Sequence, residues 1–132
     1  MAESYRHNKG SVVLIKYHLI WIPRRRRKVL VGLVASRLEQ LLREKAAELD
    51  VAVEHLAIQP DHLHLFVSAP PALAVSQIVF RLKGYTARVL RQEFPPLLKL
   101  PSMWTTAYFA STAGNVSQET IRRYIDAQSK RD

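Results

Sequence analysis

The chain has 132 residues, no cysteine, 20 Lys+Arg against 11 Asp+Glu and a formal net charge of +9 at pH 7. A length of this order suits one domain, residues 1–132, burying roughly two-thirds of the surface that the unfolded chain exposes. The missing cysteines exclude a disulfide framework, a thiolate nucleophile and sulfur-ligated zinc or iron–sulfur centres, and no run approaches the ~18 consecutive apolar residues of a membrane span.

Residues 1–10 are polar, show no apolar run in signal-peptide order and are expected to form a flexible N-terminus on a cytoplasmic protein. Ser11–Ile22 is rich in β-branched and aromatic residues and reads as a strand that Pro23 stops. Arg24, Arg25, Arg26, Arg27 and Lys28 follow as an exposed basic loop. From Val31 the apolar residues Val34, Leu38, Leu41, Leu42 and Leu49 recur at helical spacing. Val51–Ile58 and His62–Val67 read as two strands joined by a Pro60-Asp61 turn. A second helix is expected over Ala74–Phe94, with Ile78, Leu82, Tyr85 and Val89 on one face and a mid-helix Gly84 that suggests a close approach. Ala107–Thr112 is a short fourth strand, Ala113-Gly114-Asn115 a flexible connection, Ser117 an N-cap, and Gln118–Gln128 a last helix. The order β-α-β-β-α-β-α is that of an α+β, ferredoxin-like (RRM-like) fold: an antiparallel sheet with helices on one face, plus a C-terminal helix.

Charge is unevenly spread. Residues 1–50 hold 11 Lys/Arg against 5 Asp/Glu, residues 51–75 hold no Lys or Arg and two acids, and residues 76–132 hold 9 basic against 4 acidic residues. Basic flanks attract a polyanion, and a central island without fixed positive charge accepts a cation without repulsion. A buried hairpin explains the same island.

Inside that island lies His62-Leu63-His64. Alternation along a strand points both imidazoles to one face, roughly 7 Å apart along the chain, where they can converge on one divalent ion. An exposed pair on the open sheet face is the plain alternative. Asp61 can orient a histidine from behind or simply make the turn. On the last helix Ile121, Tyr124, Ile125 and Gln128 share an inward arc, with Tyr124 and Gln128 four residues apart. A buried glutamine needs a partner, a metal ion or a backbone group. Tyr124 taken alone reads as a core aromatic.

Five blocks taken together, Tyr17-His18-Leu19-Ile20-Trp21, Pro60-Asp61-His62-Leu63-His64-Leu65, Leu82-Lys83-Gly84, Trp104 with Tyr108-Phe109, and Tyr124-Ile125-Asp126-Ala127-Gln128, resemble the single-tyrosine HUH transposases of small insertion sequences that move as single-stranded DNA. The resemblance runs over about residues 11–130. It implies a DNA transposase that cleaves and rejoins single strands at hairpin-containing ends through a 5′-phosphotyrosine intermediate. It implies that Tyr124 is the nucleophile and that His62, His64 and Gln128 hold a divalent metal, Mg²⁺ or Mn²⁺. It makes the enzyme a homodimer in which the tyrosine helix of one subunit can serve the other. Asp61 and His18 are candidates to stand behind that site, His18 lying in one of the resembling blocks and being open to a structural role or a DNA contact. Candidate DNA contacts are Arg24, Arg25, Arg26, Arg27, Lys28, Lys83, Arg88, Arg122 and Arg123. Trp104 is expected in the core rather than at a base-stacking surface. Two other classes share the sequence features: a non-catalytic single-stranded nucleic-acid-binding module, which the absence of paired aromatics in HLHLFV disfavours, and a metal-dependent hydrolase using the same histidines and a water.

Overall fold

The computed structural model describes residues 7–8, 11–112 and 114–131. In chain order the elements are β1 (Ile15–Trp21), α1 (Gly32–Glu48), β2 (Ala52–Gln59), β3 (His62–Ala69), α2 (Val75–Glu93), β4 (Phe109–Ser111) and α3 (Gln118–Arg131), with a 3-10 turn at Arg24–Arg26 and another at Pro95–Lys99. The four strands form one antiparallel sheet in the order β2-β3-β1-β4, so the expected α+β, ferredoxin-like order holds. Residues 1–6 and 9–10 of the expected flexible N-terminus, and Ala113 of the expected connection, lie outside the described residues. His7–Asn8 pairs antiparallel with Ser11–Val12, separate from the main sheet, so the first long strand begins at Ile15 and not at Ser11.

Alternation along β1 and β3 divides the sheet into two faces. Leu19 and Trp21 of β1 and Leu63, Leu65 and Val67 of β3 join Leu38, Leu41 and Leu42 of α1 and Ile78, Val79, Leu82 and Leu90 of α2 in the main core. All of these side chains are essentially sealed from solvent, and burial of a leucine or isoleucine of this kind contributes about 1.5–3 kcal/mol. The opposite face carries Ile20 and, just past the strand, Ile22. They form a second, smaller cluster with Ile121 and Ile125 of α3, edged by Phe109, Val116 and Tyr124. The C-terminal helix therefore lies across the sheet from α1 and α2.

Two residues with a sequence expectation are settled by packing. Trp104 is buried, meets Trp21 edge to face at 6.1 Å between ring centroids and donates its indole N–H to Thr86 Oγ1 at 3.1 Å. That is a core role. Gly84 is not a point of close approach, since a Cβ built there meets nothing within 4 Å. Ser117 caps α3 as its position suggests, its Oγ accepting from the Thr120 N–H at 3.1 Å.

Candidate active site

The hairpin β2–β3 turns tightly at Pro60-Asp61, which pairs Gln59 with His62 and Ala57 with His64. With Leu63 and Leu65 in the main core, His62 and His64 must emerge on the other face, the one α3 covers. His62 is held from behind: its Nδ1 donates to Asp61 Oδ1 at 2.9 Å. A carboxylate at Nδ1 fixes the proton there and leaves Nε2 with its lone pair. Asp61 is half-buried, and although that burial by itself raises its pKa, the hydrogen bonds from His62 and Arg26 bring it below the ordinary value.

His64 stands among other rings. Its Nε2 is 3.0 Å from Nδ1 of His18, a buried residue of β1. Nε2 of His18 in turn donates to the Gly114 carbonyl at 3.3 Å. A carbonyl can only accept, so the proton of neutral His18 sits on Nε2 and its Nδ1 accepts from His64. His18 stacks on Phe66 at 4.4 Å between centroids, and His55 of β2 approaches His64 edge-on at 6.3 Å. Burial, then repulsion from His18, His55 and His62, lowers the His64 pKa to about 4. The imidazole is neutral at pH 7, the form that binds metals.

Above this face, α3 places Tyr124 against Phe109, with ring centroids 5.8 Å apart. The Tyr124 hydroxyl is buried and has no hydrogen-bond partner among the described residues. Its desolvation raises the phenol pKa to about 12. An orphaned buried hydroxyl costs about 1–3 kcal/mol. Gln128, one turn on, is half-buried. Between α3 and the His62 end of the sheet lies a small cavity of about 160 Å³ lined by Arg26, Asp61, His62, Gln118, Ile121 and Arg122 among others.

The whole length of this fold also has relatives. The family described as Transposase IS200-like matches residues 11–128. The chain belongs to that family. This IS200-like transposase is 34% identical over 130 residues to the ISDra2 transposase TnpA of Deinococcus radiodurans, covering 96% of this chain and 93% of that one. It is 27% identical over 120 residues to the transposase for insertion sequence element IS200 of Salmonella typhimurium, covering 89% and 78% of the two. A crystal structure of a Deinococcus radiodurans transposase superposes with a TM-score of 0.85 at 33% identity, over 93% of this chain and 97% of that one. A REP-associated tyrosine transposase bound to a REP hairpin shares the fold, with a TM-score of 0.59 at 16% identity, over 96% of this chain and 69% of that one.

Within the IS200-like transposase, hydrogen bonds join Asp61 to His62 and His18 to His64, and Arg122 shares the small cavity with Asp61 and His62. Tyr124 and Gln128 are carried by α3 over the same sheet face, Tyr124 packing on Phe109 and the small isoleucine cluster and not among the residues that line the cavity. Among the described residues no three His, Asp or Glu side chains converge as an ion site. Lys83 is not a surface cation: its ammonium is half-buried and donates to the carbonyls of Thr105, Thr106 and Ala107 at 2.6, 3.2 and 3.4 Å. Burial lowers its pKa to about 8. Arg88 lies on α2, in the layer beyond the sheet, over the Tyr85 ring. The stretch Arg24–Lys28 is not uniformly exposed either. Arg24 donates to Ser102 Oγ at 3.1 Å, and Arg26 is held by two carboxylates, while Arg25, Arg27 and Lys28 are exposed. Arg123 is exposed and paired with Glu119 at 2.7 Å. Of the nine candidate DNA contacts, Lys83, Arg24 and Arg26 already hydrogen-bond within the protein, and Arg88 is exposed on the α1/α2 side of the sheet.

Sequence reasoning missed His55 and Phe66 as neighbours of the site. The signal was present: a two-residue turn pairing 59 with 62 also sets 55 opposite 66, on the face of His64. The bulge at Glu54, beyond that pair, is what counting alone does not foresee.

Proposed function

We propose that this chain is a metal-dependent, single-strand DNA transposase of the HUH type, with Tyr124 as nucleophile and His62, His64 and Gln128 as the ligands of a divalent ion, Mg²⁺ or Mn²⁺. The observation that carries this reading is that α3, which bears Tyr124 and Gln128, covers the sheet face from which the two histidines emerge.

The donor set suits such an ion. His62 presents a bare Nε2 because Asp61 holds its other nitrogen; His64 is neutral with its proton on the Nε2 that donates to His18, so ligation through that nitrogen requires this hydrogen bond to break and the proton to move to Nδ1. Two imidazoles and an amide oxygen are neutral ligands and leave the ion's full charge for a phosphate; imidazole favours Mn²⁺ over Mg²⁺. When bound, the ion supplies Lewis-acid neutralisation of a non-bridging phosphate oxygen. The chain's own residues do the rest. Tyr124, deprotonated, attacks the phosphorus in line, the bond between phosphorus and the 3′-oxygen breaks, and that oxygen leaves as a 3′-hydroxyl after taking up a proton. The 5′-phosphate is then carried on Tyr124, and attack by another 3′-hydroxyl reverses the step and rejoins DNA without a nucleotide cofactor.

The substrate is single-stranded DNA with hairpin ends, a reading supported by the hairpin-bound neighbour of the same fold. Arg25, Arg27, Lys28, Arg122 and Arg123 are the exposed cations for its phosphates. All 132 residues act as one domain in a homodimer, with the tyrosine helix of one subunit serving the other. The small isoleucine seat of α3 and the buried phenol support a helix that leaves its place before reacting.

The test is incubation of the protein with labelled hairpin-ended single-stranded DNA, with and without Mn²⁺, followed by denaturing electrophoresis. A metal-dependent covalent adduct is expected with the wild type and none with Tyr124→Phe. Gln128→Ala is expected to lower adduct yield at least tenfold at limiting Mn²⁺ while retaining DNA. Cleavage without an adduct would indicate a hydrolase, and retention without cleavage a binding module; either result overturns the proposal.

A further inference from the structure

We infer that Arg26 is a positioning residue that ties the orientation of His62 to the seating of the tyrosine helix, an inference that rests on reading His62 and Tyr124 as parts of one active site. Its guanidinium makes two contacts at once. Nε donates to Asp61 Oδ2 at 2.9 Å, and the other oxygen of that carboxylate holds His62 Nδ1 at 2.9 Å. Nη1 donates to Asp126 Oδ1 at 2.9 Å. Asp126 stands on α3 midway between Tyr124 and Gln128. One planar cation thus links the turn that presents the histidines with the helix that presents the phenol and the amide.

The backbone is built to aim this side chain. Arg25 and Arg26 are consecutive non-glycine residues in the left-handed region, with φ of 59° and 51°. Such a pair persists only where the surroundings over-determine it. Here the Arg24 N–H donates to the Met103 carbonyl and the Arg26 N–H to the Pro23 carbonyl, each at 2.9 Å. The turn so pinned directs Arg26 toward the cavity that it lines with Asp61, His62 and Arg122.

A phosphate contact is a poor alternative for this residue. Its guanidinium faces two carboxylates, so the three groups together carry a net negative charge, and the side chain is 34% exposed. The hydrogen bond to Asp61, with that to Asp126, raises its pKa above the ordinary arginine value. A lysine cannot replace it, because a point charge lacks the fixed fork that reaches two acceptors from one plane.

The experiment uses the full-length, ¹⁵N-labelled protein without metal or DNA and reads two signals: amide exchange across α3, and the nitrogen shifts that report which ring nitrogen of His62 carries the proton. In Arg26→Ala both change. Exchange in α3 rises roughly 5- to 30-fold relative to α1 and α2, the effect of losing one or two charge-assisted hydrogen bonds. The His62 proton, held at Nδ1 in the wild type, distributes over both nitrogens. Asp126→Lys raises α3 exchange while Asp61 still holds His62, and Asp61→Asn, which removes the acceptor of His62 and the anchor of Arg26 together, moves both signals. Wild-type exchange and a wild-type His62 signal in Arg26→Ala, with loss confined to DNA retention, would overturn the inference in favour of a phosphate contact. If Arg26→Ala does not fold, the other two variants decide, since failure of either to produce its stated change is equally fatal. A wild-type chain that forms no covalent adduct would sink the transposase reading while leaving these two signals as they are.

Discussion

Tyr124 sits where a phenol is least able to react. Its hydroxyl is sealed from solvent and has no hydrogen-bond partner among the described residues, and desolvation raises its pKa to about 12. At pH 7 to 8 a group with that pKa is ionised about once in ten thousand molecules or less. If Tyr124 is the nucleophile proposed above, the packed position is a resting one, and an approaching cation or a change of surroundings has to lower the pKa before attack. The sign of the linkage is definite. An unfolded tyrosine ionises near 10 and the folded one near 12, so the folded state binds the proton more tightly and loses stability as pH rises from about 10 to 12. Tyrosinate absorbance during alkaline titration should show a late transition near 12 in the wild type that is missing in Tyr124→Phe. A Tyr124 transition near 10 in the folded chain would mean that the phenol is solvated. Charge was the least legible property at this scale. Arg26 and Lys83 look alike in sequence, two cations in basic surroundings, yet one is forked between carboxylates and the other is buried among carbonyls. Composition does not reveal where a side chain points.

The elements differ in how they are held, and that difference was partly readable. The hairpin β2–β3 was legible because a two-residue turn fixes its register, and alternation in HLHLFV then decides which face the histidines take. Both long helices followed from apolar spacing, and α3 began where Ser117 caps it. The fourth strand is only Phe109–Ser111, shorter than Ala107–Thr112; just before it the Thr105, Thr106 and Ala107 carbonyls accept from the Lys83 ammonium, which takes Ala107 out of the ladder. Side preference along α3 was legible, but which layer it would join was not: an isoleucine stripe fits either face of a sheet. The two cores also predict different mutational behaviour. Leu65→Ala, in the main core between sheet and α1/α2, should lower global stability in denaturant unfolding by about 2–5 kcal/mol. Ile125→Ala, in the smaller cluster, should chiefly loosen α3, raising its amide exchange while the sheet and both long helices keep wild-type protection. Equal loss of protection throughout the chain in Ile125→Ala would show instead that α3 folds as one unit with the sheet.

For the molecule as a whole, two layers of helix on opposite faces of one sheet give a division of labour. The α1/α2 side supplies stability, and the other side leaves the histidines, Arg122 and a small cavity under a lightly seated helix. A net charge of +9 draws the chain to a polyanion; the hairpin segment 51–75 has no lysine or arginine of its own, and Arg26 and Arg122 reach the His62 cavity from elsewhere in the chain. Among the described residues no helix is long and apolar enough to cross a membrane. Membership of the IS200-like transposase family and the arrangement of α3 over the histidine face lead to one chemical claim, that DNA becomes attached to a single tyrosine out of the five in the chain. The most direct measurement is mass-spectrometric mapping of trypsin-digested covalent adduct formed on hairpin-ended single-stranded DNA with Mn²⁺. The account predicts a 5′-phosphonucleotide on Tyr124 within the peptide Tyr124–Lys130, absent when metal is withheld. Attachment at Tyr5, Tyr17, Tyr85 or Tyr108, or cleaved DNA with no modified peptide, would contradict it.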